Sequence, residues 1–138
     1  MWAIIKIDNK NLNLLKRDFS FRLGKDVSYY MPKIRLKKFL KNKTCFKEIS
    51  VLGDYLLCYH KYFSKRSILI SLKYCRGLKY FLTDFYTSQN EIRKFIKKCK
   101  EFEDENGYLK PTFFNFKNRK DFEFISGPFS KIIFSKLE

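Results

Sequence analysis

Trp2 to Ile7 fills both strand parities with apolar side chains, the mark of a strand covered on both faces. Leu12, Leu15 and Phe19 then recur at helical spacing, with Asn9 or Asn11 available as the N-cap and Gly24 as the stop. "DVSYYMPKIRL" alternates as a strand bent at Pro32, and "KIRLKKFLKNKTCFKEI" reads as the two long arms of a β-hairpin around Lys41-Asn42-Lys43. "VLGDYLLCYH" is a further strand, with Tyr55, Leu57 and Tyr59 on one face and Leu56 and Cys58 on the other. Ser64 is placed to cap a helix that carries Ile68, Leu72 and Cys75 on one stripe and stops at Gly77. "LKYFLTDF" returns as a strand. Ser88 and Glu91 then have the spacing of a capping box ahead of Ile92, Phe95, Ile96 and Cys99. The order strand, helix, strand, hairpin, strand, helix, strand, helix predicts an α+β sandwich, with helices packed on a mostly antiparallel sheet. From Glu105 onward the pattern is that of a linker, and no internal repeat is visible.

A chain of 138 residues holds one domain with room for a core, or one domain plus a fragment. Charge changes the picture: 30 Lys and Arg face 14 Asp and Glu, a formal net charge of +16 that favours a polyanionic partner. Lys, Asn, Ile, Phe and Tyr crowd the chain and Ala3 is its only alanine, the look of an AT-rich coding sequence. That bias accounts for lysine in place of arginine more readily than for the shortage of acids. The basic residues are also patterned. Lys33, Arg35 and Lys37 alternate with Ile34 and Leu36, which places charge on one strand face and apolar groups on the other. Seven basic residues and no acid lie between Lys33 and Lys47. Lys16 and Arg17 sit on the first helix, Lys73, Arg76 and Lys79 surround Gly77, and Arg93, Lys94, Lys97 and Lys98 lie on the last helix. Long cationic side chains of this kind suit phosphate contact, although a solvated hairpin also carries lysines.

Candidate chemistry is sparse. His60 is the only histidine, which removes any histidine-built metal site. Cys58 lies two residues from it on the same strand face, but no acid is placed to orient such a pair. Cys45, Cys58, Cys75 and Cys99 are widely spaced without a Cys-x-x-Cys pair, so they read as free core thiols in a reducing compartment. Glu101, Glu103, Asp104 and Glu105 read as a solvated face at a helix end. There is no P-loop and no G-x-G-x-x-G. "MWAIIKIDNK" has no basic n-region, and its apolar run is too short for a signal or a membrane span. The expectation is a cytoplasmic protein that is not an enzyme, needs no cofactor or metal and has no membrane partner.

Four stretches resemble, in order, the N-terminal (NGN) domain of NusG-type transcription elongation factors, RfaH-like specialised paralogues included. "MWAIIKI" is similar to the family's tryptophan-led first strand, and "YYMPKIRL" to its proline-marked strand entering a hairpin. "VLGDYLLCY" is similar to its "FPGYLFV"-like strand, and "ISLKYCRGLKYFL" to its helix ending in an Arg-Gly turn. The likeness covers residues 1–110 and implies an NGN-type sandwich that binds RNA polymerase at the clamp helices of the β′ subunit and at the gate loop of the β subunit. Closing the clamp suppresses pausing and favours antitermination, with non-template or upstream DNA beside the domain. Carried over by position, the polymerase-binding patch includes Tyr55, Leu57, Phe81 and Phe85. The gate-loop contact falls between Ser67 and Ser71, where "SILIS" replaces the short His-Thr run of RfaH-like members. Arg76 matches an arginine that touches non-template DNA, with Lys73 its companion and Lys16, Arg17, Lys33, Arg35 and Lys37 the wider basic surface. The family usually has Pro-Gly or Pro-Asn where this chain has Gly53-Asp54.

Residues 111–138 read as a linker and an incomplete KOW-like segment, because "FEFISGPFSKIIF" resembles the first strand and Gly-Pro-Phe turn of that five-stranded barrel. The glycine expected shortly after the turn is replaced by Ile132-Ile133-Phe134. The segment is either a vestige or the first part of a barrel, and Phe122 to Glu138 is expected to form no separate domain; the free protein is expected to be a monomer. Two other readings stay open: a stand-alone RNA- or ribosome-binding module that uses the basic hairpin, and a protein scaffold whose charge is incidental.

Overall fold

The computed structural model describes residues 1–114. Its order is β1 (Trp2–Ile7), α1 (Leu12–Leu23), β2 (Ser28–Tyr30), β3 (Lys33–Leu40), β4 (Lys43–Ser50), β5 (Tyr55–Tyr59), α2 (Arg66–Leu72), β6 (Leu78–Phe81) and α3 (Gln89–Glu101). Four strands form one antiparallel sheet in the order β2-β5-β1-β6, and β3 and β4 form a separate two-stranded ribbon. The fold is an α+β sandwich.

The apolar run of β1 follows from its central place. Ile4 pairs with Leu57, and Ile5 pairs with Leu56 and Phe81, so alternate residues feed opposite faces. On the Ile5 face, Phe81 meets Phe19 of α1 and Phe63 of a 3-10 turn at Lys61–Ser64. On the Ile4 face, Tyr30 pairs with Leu57, and its hydroxyl donates to Glu103 at 2.5 Å, just past the end of α3. Ala3, Ile4, Ile5, Ile7, Leu57, Phe19, Phe63 and Phe95 are all buried in one core.

Three capping expectations need correction. Asp8, not Asn9 or Asn11, holds the first helical turn: its carboxylate accepts from the Lys10 N–H at 3.2 Å and from Asn11 Nδ2 at 2.9 Å. Ser64 donates to Lys61 O and leaves α2 without a side-chain cap. Ser88 makes no capping bond either; Gln89 does the fastening instead. Its Nε2 donates to Trp2 O at 2.6 Å and Phe85 O at 2.7 Å, and its Oε1 accepts from Trp2 N–H at 2.9 Å. Pairing with β6 reaches back only to Ile5, with Leu82 N–H donating to Ile4 O, so the Gln89 amide extends that sheet edge over Trp2. Gly24 does end α1, at φ 90°.

The expected linker starts too early. Asp104 accepts from the N–H groups of Asn106 and Tyr108 and turns the chain back. Leu109 N–H then donates to Lys33 O at 2.9 Å and Lys110 N–H to Phe102 O at 2.8 Å. Leu109 and Phe113 are buried, with the Phe113 ring 5.9 Å from Phe102. The folded unit therefore continues through Phe113. The KOW-like segment lies outside the described residues. Among the described residues no helix is long and apolar enough to cross a membrane.

Candidate nucleic-acid interface and apolar groove

The β3-β4 ribbon carries the basic run. Lys41 and Asn42 form its turn with φ 50° and 63°, the left-handed pair that a type I′ hairpin needs, so Leu40 faces Lys43 and the register follows. On one face Lys33, Arg35, Lys37 and Phe39 stand opposite Ser50, Glu48, Phe46 and Thr44. Cations and rings alternate there. The Arg35 guanidinium lies 4.5 Å from the Phe46 ring and 5.1 Å from that of Tyr108, and Lys37 Nζ is 5.3 Å from the Phe39 ring. Glu48 is the acid on this face; it pairs with Lys33 at 3.8 Å and accepts from the Tyr108 hydroxyl. The expected split holds for Lys33, Arg35 and Lys37 against Ile34 and Leu36 within β3, but it does not extend over the whole ribbon. Phe39 and Phe46 share the charged face, Lys43 and Lys47 share the other with Leu36 and Leu40, and all six are exposed. The ribbon's outer part covers no core, so nothing selects an apolar side.

Lys16 and Arg17 are exposed on α1, Lys16 over the Tyr29 ring at 5.2 Å. Arg76 has another occupation. Its backbone N–H and Nε donate to Asp18 Oδ2 at 2.9 and 3.2 Å, and Nη2 donates to Oδ1 at 2.8 Å. The guanidinium holds the Asp18 carboxyl down at about 2. Gly77, at φ 81°, follows; a Cβ there would stand 2.6 Å from Asn11 O, so the Arg-Gly turn fits against the start of α1 only without a side chain. Arg76 thus fastens two elements, while its side chain stays exposed beside Asp18.

Between α2, β6 and the turn after β6 lies an open groove of about 680 Å³. Leu69, Ile70, Leu78, Phe81, Leu82 and Tyr86 line it, and Arg66, Lys73 and Lys79 rim it. Ile70 is 61% exposed, an unusual state for isoleucine on a folded surface. Phe81 is the expected patch residue that the groove presents. Phe85 also lines it but is 1% exposed, and Leu57 is fully buried; both are corrected from contact residues to core. Tyr55 is half-buried beside the groove: its hydroxyl is 3.4 Å from that of Tyr80, a groove residue, and Lys6 Nζ lies 4.4 Å from its ring. Ser67 and Ser71 are exposed but turn away from the groove side of α2, one helical turn apart from each other.

The remaining candidates have structural occupations. His60 is buried, and its Nδ1 accepts from Tyr62 N–H at 3.1 Å. Burial pushes the Cys58 thiol up, away from thiolate reactivity, and pushes Cys99 up to about 12. Cys45, expected in the core, is exposed on the ribbon. Glu103 and Asp104 are engaged as described, so the acidic stretch is partly structural. Among the described residues no group of three or more His, Cys, Asp or Glu could hold a metal ion.

Sequence reasoning missed Phe39, Phe46 and Tyr108 on the ribbon and Ile70, Tyr80 and Tyr86 at the groove. Once Lys41-Asn42 is taken as a two-residue turn, counting back places Phe46 opposite Lys37. Tyr108 gives no such signal, because it arrives from a distant segment. No family model matches the chain, and no curated protein matches it.

Proposed function

We propose that this chain is a NusG-like transcription elongation or antitermination factor, non-catalytic, cytoplasmic and monomeric when free. It binds RNA polymerase at the β′ clamp helices through the apolar groove and its neighbour Tyr55, with Ser67 and Ser71 toward the β gate loop. The basic ribbon faces upstream or non-template DNA, and the bridged clamp pauses less. The observation that carries this reading is the coexistence, on one small domain, of a wide apolar groove with a basic rim and a protruding cationic ribbon. A polymerase binder that also tracks DNA needs both. The sequence likeness in "MWAIIKI", "YYMPKIRL", "VLGDYLLCY" and "ISLKYCRGLKYFL" supports the same reading.

A stand-alone RNA- or ribosome-binding module is the second reading, favoured by the cation and aromatic face of the ribbon; it leaves the groove without a role. Purified bacterial RNA polymerase separates the two. Binding that is lost in Ile70→Asp, together with shorter pauses on a linear template, is the expected result. Absence of any polymerase binding by a cooperatively folded protein would overturn the proposal.

A further inference from the structure

We propose that the Arg35-Phe46-Phe39 face of the ribbon is a stacking platform for an unpaired DNA strand. This rests on the nucleic-acid half of the function proposed above and specifies the form of nucleic acid it takes.

Phe39 is 74% exposed and Phe46 58% exposed, at a place where no element of the described fold covers them. An exposed phenylalanine is poorly placed in water, and two on one face of a ribbon with a run of cations are placed to receive something flat and anionic. The flat parts are nucleobases and the anionic parts are phosphates. Arg35 braces the Phe46 ring: its guanidinium lies 4.5 Å from that ring and 5.1 Å from the Tyr108 ring, which sets a fixed positive charge beside the stacking surface. Lys37 lies over Phe39 in the same way, at 5.3 Å. Phe46 stands directly opposite Lys37 and diagonal to Phe39, a separation of about 7–8 Å in an antiparallel pair, so two bases of one strand each find a ring.

A duplex can meet the ribbon's lysines through its phosphates but cannot stack bases on its rings. A two-stranded ribbon fits the major groove, but reading base edges there requires free polar side chains. Beside Lys37 and Thr44, the exposed groups on this face are phenyl rings, and its arginine lies over two rings. Base faces, which these rings would contact, are hidden in a duplex and open in a single strand. Glu48 sets no sugar preference. It is the carboxylate on this face able to accept from a 2′-hydroxyl, and it is already engaged by Lys33 and the Tyr108 hydroxyl. The choice of a DNA strand over RNA therefore rests on the function proposed above and not on this face, which also carries the exposed Thr44 hydroxyl.

The ribbon is held in position at its root, where Leu109 N–H bonds Lys33 O and Tyr108 packs against Lys33 and Arg35. Its rings are presented by a fixed element and not by a loose loop, which reduces the ordering cost of binding.

Fluorescence anisotropy of the full chain decides the matter, using a labelled 12-mer DNA strand of mixed sequence, its blunt duplex and the RNA strand of the same sequence, each over a salt series. The single DNA strand should bind more tightly than the duplex and at least as tightly as the RNA. Phe46→Ala and Phe39→Ala should each weaken it about tenfold with an unchanged salt slope, since a ring and not a charge is lost. Phe46→Tyr should keep wild-type affinity, which separates stacking from damage to the ribbon. Lys37→Gln should instead lower the salt slope by about one. Duplex binding equal to or tighter than single-strand binding, with both alanine variants silent, overturns this inference and leaves the proposed function standing. A preference for RNA overturns it too. Binding to none of the three removes the nucleic-acid half of the proposed function along with it.

Discussion

Asp18 and Arg76, 58 positions apart, are joined by a two-pronged ion pair that also takes in the Arg76 backbone N–H. The pair closes α1 onto the turn that leads into β6. It is also what holds the Asp18 carboxyl at about 2, against an ordinary value of 3.8, with the hydrogen bonds from Arg76 as the main cause. A carboxyl whose folded value is depressed contributes stability above its unfolded value, and that stability is lost as the pH falls through the folded value. The contribution of this pair is therefore complete above about pH 4 and disappears between pH 4 and 2. Thermal melts of wild type and Asp18→Asn should differ at pH 6 and converge toward pH 2. Arg76→Ala should destabilise in the same direction at pH 6, and adding Asp18→Asn to it should cost little more. If Arg76→Ala weakens DNA binding without lowering the melting point, the latch is not its main role.

Tyr55 and Leu57 share a strand face but not an environment. Leu57 is fully buried while Tyr55 is half-buried beside Tyr80. Leu57→Ala should cost about 2–5 kcal/mol in urea unfolding, the usual range for an emptied core site. Tyr55→Asp should leave the urea midpoint close to wild type and abolish capture of RNA polymerase, if the proposed surface is correct. Equal destabilisation by both would place Tyr55 in the core as well.

The Gln89 clip makes a third test. Gln89→Ala removes three hydrogen bonds and leaves both polar groups of the Trp2 backbone without that partner, a loss of about 1–3 kcal/mol. Trp2 is the only tryptophan, so its emission reports on the site directly. The emission should shift to the red and the Trp2 amide should exchange faster in the variant. Gln89→Glu should not rescue it, because a carboxylate cannot donate to Trp2 O and Phe85 O.

Elements whose pattern depends on their own packing were legible in the sequence. β1 fills both parities because sheet neighbours and helices cover both its faces, and α3 shows its buried stripe at Ile92, Phe95, Ile96 and Cys99. The caps were not legible: Ser88 and Glu91 have the right spacing, but a third residue, Gln89, found a better partner in the backbone of β1. The patch residues divide for a similar reason. Strand alternation puts Tyr55 and Leu57 on one face, and only the path of α3, from Gln89 at Trp2 to the Tyr30–Glu103 contact, decides which part of that face is covered. The opposite face gives Phe81 to the groove. The basic run was plain from composition; its aromatic partners depended on a hairpin register and on Tyr108, which arrives from outside the ribbon.

The ribbon also has a colloidal consequence. β3 and β4 pair with each other and with no other described strand, so each presents an outer edge of backbone groups to which a second molecule could add a strand. Lys37, Lys41, Lys43 and Lys47 are all exposed along that ribbon, and two copies brought edge to edge would set these charges against one another. Repulsion of this kind is screened beyond about 10 Å at 0.1 M salt, and a bound polyanion cancels it outright. The lysines on which the proposed nucleic-acid binding rests therefore also set the ribbon's edges against one another, and neutralising them on a shared polyanion would remove that barrier to self-association.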